Sequence, residues 1–150
     1  MARYFVIALF LMASSSFAAD GGKAKCVGGT NAVIARGMNG TVQTADTTAF
    51  VLTAKGKTLK IPYARINLIE YGQNVSRRIA LAILISPMFL LAKSREHFVT
   101  LGYTDDNGHQ QAIVLQVEKR LIRSTLTTLE VRTGRTVRCQ DDEARKFHQG

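Results

Sequence analysis

Three histidines, two cysteines and a short run of carboxylates are the side chains of this 150-residue chain best suited to acid–base, nucleophilic or metal chemistry. Asp105, Asp106 and His109 fall together in "YTDDNGHQQ", a combination that a small hydrolase could use as acid and base. The same residues have a simpler reading. Asp105-Asp106-Asn107-Gly108 separates two strand-like runs, and Asn-Gly suits the positive φ angles of a tight hairpin turn. With the turn at Asn107-Gly108, His109 sits at the tip and His97 at the far end of the same ribbon, roughly 30 Å away at ~3.3 Å per residue. They cannot share a metal. No placed nucleophile or oxyanion device accompanies the tip, so turn formation is the leading reading and a secreted hydrolase working through residues 105–109 is the alternative. Glu70 and Tyr71 read either as a buried polar pair or, through Glu70 and Arg77 or Arg78, as an ordinary salt bridge. The chain has no phosphate-binding glycine loop, zinc-ligand spacing or serine–histidine arrangement, and "GGTNAVIARG" is not a dinucleotide fingerprint. The reading assigns no catalytic residue, no metal ligand and no cofactor, and the expectation is a protein that is not an enzyme.

Compartment is more legible than chemistry. Arg3 precedes an apolar run from Tyr4 to Met12, then small residues and Ser16-Phe17-Ala18, which fits a signal-peptidase site. Residues 1–18 are therefore expected to be a secretory signal peptide, and the protein to be exported to a periplasm or the medium; an uncleaved N-terminal anchor is the other reading. Cys26 lacks the small and aliphatic residues a lipoprotein anchor needs before it. An oxidising compartment favours pairing Cys26 with Cys139, the only two cysteines, and such a bridge would stabilise by roughly 4 to 5 kcal/mol on the chain-entropy model. Free thiols or an intermolecular bridge are the other readings. The net charge of +9 falls to +8 with the loss of Arg3, so the exported domain attracts anionic partners: lipid head groups and envelope polyanions before nucleic acid.

The elements that would position these residues are mostly strands. Residues 19–39, glycine-rich and without a convincing period, read as an extended lead-in. Thr41 to Thr44 and Thr48 to Thr53 read as strands, Ala54-Lys55-Gly56-Lys57 as a hairpin tip, and "TLKIP" as a half-buried strand ended by Pro62. Ala64, Ile66 and Leu68 are expected on one face of a strand closing at Gly72. Strands follow at about His97 to Tyr103 and Gln110 to Val117. Leu121, Ile122, Leu126 and Leu129 then recur at helical spacing, with Gly134 as the stop. Three threonines weaken that helix's intrinsic propensity, so it must owe its stability to packing against a sheet. Residues 140–150 read as a charged, frayed tail.

The phrase "LKIPYARINLIEYG", the hairpin "HFVTLGYTDDNG" and the closing helix resemble bacterial pleckstrin-homology-like domains, in particular small secreted forms. The likeness covers roughly Gly40 to Gly134 and rests on element order and one loose strand motif. It implies an α+β, mainly β fold over residues 40–139: a bent antiparallel sheet or open barrel with a C-terminal amphipathic helix and an apolar helical insert at 75–93. It also implies a platform for lipids, peptides or partner domains rather than an enzyme. Eukaryotic members grip phosphoinositides through a basic hairpin near the first strands. Lys55, Lys57 and Lys60 occupy a comparable hairpin here, with no arginine or second basic motif to complete the pattern, so non-specific contact with anionic lipid is the most that carries over. Lysines at such a turn also serve simply to discourage strand pairing, which is the leading reading.

The insert raises the functional question. Ile79 to Ala92 are fourteen residues without a charge, bracketed by Arg77, Arg78, Lys93 and Arg95. A helix of that length is about 21 Å long against a hydrocarbon core of about 30 Å, and Ser86-Pro87 at its centre bends or breaks it. Its large apolar side chains, among them Ile83, Leu84, Ile85, Met88, Phe89 and Leu90, cover every side of a helix, and each gains about 1.5 to 3 kcal/mol on leaving water. Something must cover them. The protein's own core is the leading cover; a membrane surface with the flanking cations, together with Lys55 and Lys57, at head-group level is the second. A second copy of the chain or an envelope protein is the third. The resulting expectation is a non-enzymatic exported module that associates with an envelope membrane or envelope protein.

Overall fold

The computed structural model describes residues 21–75, 77–82 and 96–150. The expected signal peptide at 1–18 and most of the apolar run, including Ile83, Leu84, Ile85, Met88, Phe89, Leu90, Lys93 and Arg95, lie outside the described residues. The chain forms β1 (Gly21–Gly29), β2 (Asn39–Gln43), β3 (Ala49–Ala54), β4 (Lys57–Pro62), a 3-10 turn (Tyr63–Arg65) and β5 (Ile66–Gly72). It continues through α1 (Arg77–Ala82), β6 (Phe98–Thr104), β7 (Gln110–Val117), α2 (Lys119–Thr133), β8 (Arg138–Cys139) and α3 (Asp142–Gln149). One eight-stranded sheet runs β4-β3-β2-β1-β7-β6-β5-β8, antiparallel except for the parallel β5–β8 pair. It does not close, so β4 and β8 are its edges.

The mainly β class, the β6–β7 hairpin and the helix after it agree with the expectation. So does the core of α2: Leu121, Ile122, Leu126 and Leu129 are all buried, and Gly134 caps the helix in the left-handed region. These four meet Phe50 and Leu52 of β3, Leu59 and Ile61 of β4, and Ile66, Ile69 and Tyr71 of β5 in one cluster. Strands from both ends of the sheet reach the same core only if the sheet curls around it, with α2 filling the hollow. A sheet curled this way has a concave inner face and a convex outer one.

Three expectations are corrected. The lead-in at 19–39 is not peripheral: β1 lies between β2 and β7. Two of its glycines sit at close approaches: a Cβ on Gly22 would stand 1.5 Å from Leu121 Cδ1, and one on Gly29 2.9 Å from Ala112 O. Second, β5 begins at Ile66, with Ala64 inside the 3-10 turn, and a bulge at Asn67 breaks the alternation. The buried face is consequently Ile66, Ile69 and Tyr71, while Leu68 turns outward. The bulged Asn67 exchanges hydrogen bonds with Gln110 of β7 at 2.7 and 3.0 Å. Third, the tail at 140–150 is not frayed. Asp141 caps α3 by accepting from Ala144 N, and Ala144 is fully buried.

The tight turns also trade places. Lys55 (φ 47°) and Gly56 (φ 76°) form the two-residue, positive-φ turn between β3 and β4. At residues 105–109 only Gly108 takes positive φ, within a longer loop in which Gly108 N donates to Asp105 O and Asp105 N to His109 O.

Leu126 is fully buried and Val131, one turn on, is 76% exposed. Leu126→Ala is expected to lower unfolding stability by about 2 to 5 kcal/mol. Val131→Ala should change it by no more than about 0.5 kcal/mol. Equal shifts in the urea midpoint would refute the placement of α2 inside the sheet.

Candidate functional site

The convex face of the sheet is divided. Over β1, β7 and β6 it is apolar: Val27, Val114 and Phe98 point outward and form a second small core with Val75 and Ala80, against which Ile79 and Ala112 pack. Val27 reaches that face by strand alternation, since Ala24 and Cys26 face the inner core, and the bulge that follows shifts the register at Gly28 and Gly29. The first turn of the apolar run is therefore seated on the sheet through Ile79 and Ala80, as the core reading expects. The opposite side of the same helix is bare: Leu81 is 67% exposed, and Arg78 is exposed beside it. Six residues of helix thus present apolar groups to two sides. Among the described residues, no helix is long and apolar enough to cross a membrane.

The base of this segment is fastened by a buried aromatic cluster. Tyr71, at the end of β5, and His97, just before β6, share a 2.6 Å hydrogen bond through the phenol oxygen and Nδ1. Their rings lie nearly parallel, with centroids 5.9 Å apart. Phe147 of α3 closes over both, 5.2 Å from His97 and 6.2 Å from Tyr71. Arg123 and Lys119 of α2 stand over the other side of Phe147, and Arg123 Nε donates to Phe147 O. Burial pushes the Tyr71 hydroxyl up to about 12, with Asp141 and Cys139 adding to the shift. Burial and Lys119 hold the His97 imidazole below its ordinary value, with Glu96 opposing them. Of the two readings of Glu70, the buried pair with Tyr71 does not form: Tyr71 faces inward to His97, while Glu70 faces outward and accepts from Gln140 Nε2 at 2.9 Å. Nothing in the sequence alone joined Tyr71 to His97, because the partners come from either side of the insert. The signal for α3 was present: Asp141 before Asp142 and Glu143, then Lys146 and His148 in the last turn, follows the charge order of a capped helix.

At the hairpin tip, turn chemistry accounts for the acids. Asp105 Oδ1 accepts from Asn107 N and His109 N, both at 2.9 Å, and Oδ2 accepts from Gln111 Nε2. These bonds, the one from His109 N foremost, hold its carboxyl below the usual range. Asp106 is 93% exposed and paired with Arg65, and the His109 side chain is 74% exposed. Asp105 is thus engaged by its own turn and Asp106 by Arg65, and both line a cleft of about 310 Å³ together with Thr30, Tyr103 and Gln111. Among the described residues, no group of three or more His, Cys, Asp or Glu is placed to hold a metal ion.

The expected Cys26–Cys139 bridge is absent. Both thiols are free: Cys26 is buried in β1 and Cys139 half-buried in β8, with β7, β6 and β5 standing between them in the sheet. At ~4.8 Å per strand, their separation along the sheet far exceeds the reach of a disulfide. Burial pushes both thiols up, which leaves them inert. Lys55 and Lys57 are exposed at the β3–β4 turn, as expected.

No family model matches the chain, and no curated protein matches it significantly.

The histidine cluster carries a pH dependence. A histidine whose folded pKa lies below its unfolded value of about 6.5 gives stability that is complete above that value and is lost as pH falls through the folded pKa. The urea midpoint is expected to drop between pH 7.5 and 5, and the drop to be smaller in His97→Gln. An identical pH profile in the variant would remove His97 as its source.

Proposed function

We propose that the protein is a non-enzymatic, exported module of pleckstrin-homology-like architecture that docks on an anionic membrane surface of the cell envelope. The supporting observation is α1, which is seated on the sheet by Ile79 and Ala80 yet leaves Leu81 67% exposed next to an exposed Arg78. A large apolar side chain beside a cation at the start of an uncharged run suits a head-group boundary: the apolar group enters and the cation stays with the phosphates. The order of elements supports the architecture, with a four-strand meander, a three-strand meander and then a helix filling the hollow. The excess of cations supports an anionic partner, since the long-range field draws the domain toward such a surface before any contact forms. The N-terminal sequence supports export, since its short apolar run and small-residue site fit a cleaved signal.

Co-flotation with phosphatidylglycerol vesicles checks this reading. The protein is expected to float with anionic vesicles, less with neutral ones, and less again at high salt. Leu81→Asp and Arg78→Glu should each weaken flotation while leaving the unfolding stability within about 0.5 kcal/mol of the parent. Ala80→Asp, on the seated side, should destabilise the fold instead. A monomer that stays with the pellet fraction at every lipid composition would refute membrane docking. A stable dimer lost on Leu81→Asp would assign α1 to a second copy of the chain.

A further inference from the structure

The other half of the convex face, over β2, β3 and β4 and the outward side of β1, is of a different character. No Asp or Glu occurs in any of these four strands. Lys23, Thr41, Thr53 and Thr58 stand in one register row across β1, β2, β3 and β4, so their side chains share the outer face. At ~4.8 Å per strand that row spans about 14 Å. Thr53 Oγ1 and Thr58 Oγ1 are 3.4 Å apart. Lys25 lies two residues along β1 from Lys23 on the same face, and Lys60 two along β4 from Thr58. Lys23, Lys60 and Thr58 are exposed. Val51 and Ala49, the outward apolar residues of β3, are each only 7% exposed. None of the exposed large apolar side chains Val33, Leu81 and Val131 belongs to this face.

We infer that this face binds a linear anionic polysaccharide. Charge complementarity sets the sign of the partner, for three outward lysines meet no carboxylate on their own four strands. The neighbouring acids lie at its margins. Asp46, in the β2–β3 connection, is engaged by Thr48 and Ala49 N. Glu118, held by Arg120 at 2.8 Å, and Glu96 line the groove of about 510 Å³ that carries Lys23 and Lys25 toward α2. Asp105 and Asp106 share the lining of a second cleft with Lys60, where Asp105 is engaged by its own turn and Asp106 by Arg65. Shape and chemistry choose among anionic partners. A convex face touches a planar bilayer along a line and here offers it no apolar group to insert, whereas a flexible chain can follow the curvature. Threonine hydroxyls both donate and accept, which suits a hydroxyl-rich polymer carrying spaced acidic groups. The surface is separate from the α1 contact, so each can fail without the other.

Dextran sulfate is a suitable probe, with neutral dextran and phosphatidylglycerol vesicles as the comparison arms. The protein should bind dextran sulfate and not neutral dextran. Reversal of Lys23, Lys25 and Lys60 together to Glu should cut that affinity by about tenfold or more at low salt, because each lost cation forfeits released counterions. Reversal of Arg135, Arg138 and Lys146, which changes net charge equally, should cost about threefold or less. Thr53→Val with Thr58→Val, which leaves the charge untouched, should weaken binding by about threefold through lost hydroxyl contacts. Leu81→Asp should leave it unchanged. Circular dichroism checks that each variant is folded, and Lys→Gln versions replace any reversal that is not. Equal losses from the two charge-reversal triples, or no loss in the threonine pair, would reduce the effect to diffuse charge and overturn the inference. Vesicle binding that depends on Lys23, Lys25 and Lys60 would overturn it too, and make the face a lipid surface.

Discussion

A sheet that curls without closing has to hide its concave face, and in this protein α2 does so. Leu121, Ile122, Leu126 and Leu129 reach strands from both ends of the sheet, so the curvature of the strands and the position of the helix depend on each other. The threonines of α2 give it little intrinsic helical stability, and Lys119 and Arg120 sit at the end where the helix dipole disfavours cations. Packing must therefore carry the helix. Thr125 is itself buried within that packed stripe. The open end near the insert is finished by α3, whose Phe147 lies over Tyr71 and His97 while Arg123 and Lys119 cover it from outside.

With the inside occupied, function falls to the outside, and the outside is of two kinds. The residues at the outward positions decide where the division runs. Val27 of β1 joins Val114 and Phe98 there, giving α1 an apolar floor. The neighbouring strands turn lysine, threonine, asparagine and glutamine outward, with Ala49 and Val51 of β3 buried among them. An apolar helix on one half and a cationic polar field on the other suit an envelope protein that meets both a bilayer and the polymers around it. Asp105 is engaged by its turn, Asp106 by Arg65, and His97 by Tyr71.

Much of this was legible because it is periodic. Leu59 and Ile61 alternate with Thr58 and Lys60, and both are buried in β4; the four apolar residues of α2 recur at helical spacing and face one core. What escaped reading is aperiodic or depends on distant partners. β1 is rich in glycine because Gly22 yields to Leu121 from across the sequence, and small residues leave no alternation to detect. The bulge at Asn67 shifted the inward set from Ala64, Ile66 and Leu68 to Ile66, Ile69 and Tyr71. α3 looked like a tail because it buries little beyond Ala144 and part of Phe147. The disulfide was inferred from compartment and count, and neither of those fixes geometry.

The central claim is that α1 turns one side to the sheet and the other to an anionic bilayer. An environment-sensitive fluorophore attached at Leu81→Cys, in a Cys139→Ser background with Cys26 left buried, reports on this directly. Its emission should shift to the blue when phosphatidylglycerol vesicles are added, while the same label at Val131→Cys on α2 should not respond. No shift at position 81, or an equal shift at both positions, would contradict the account.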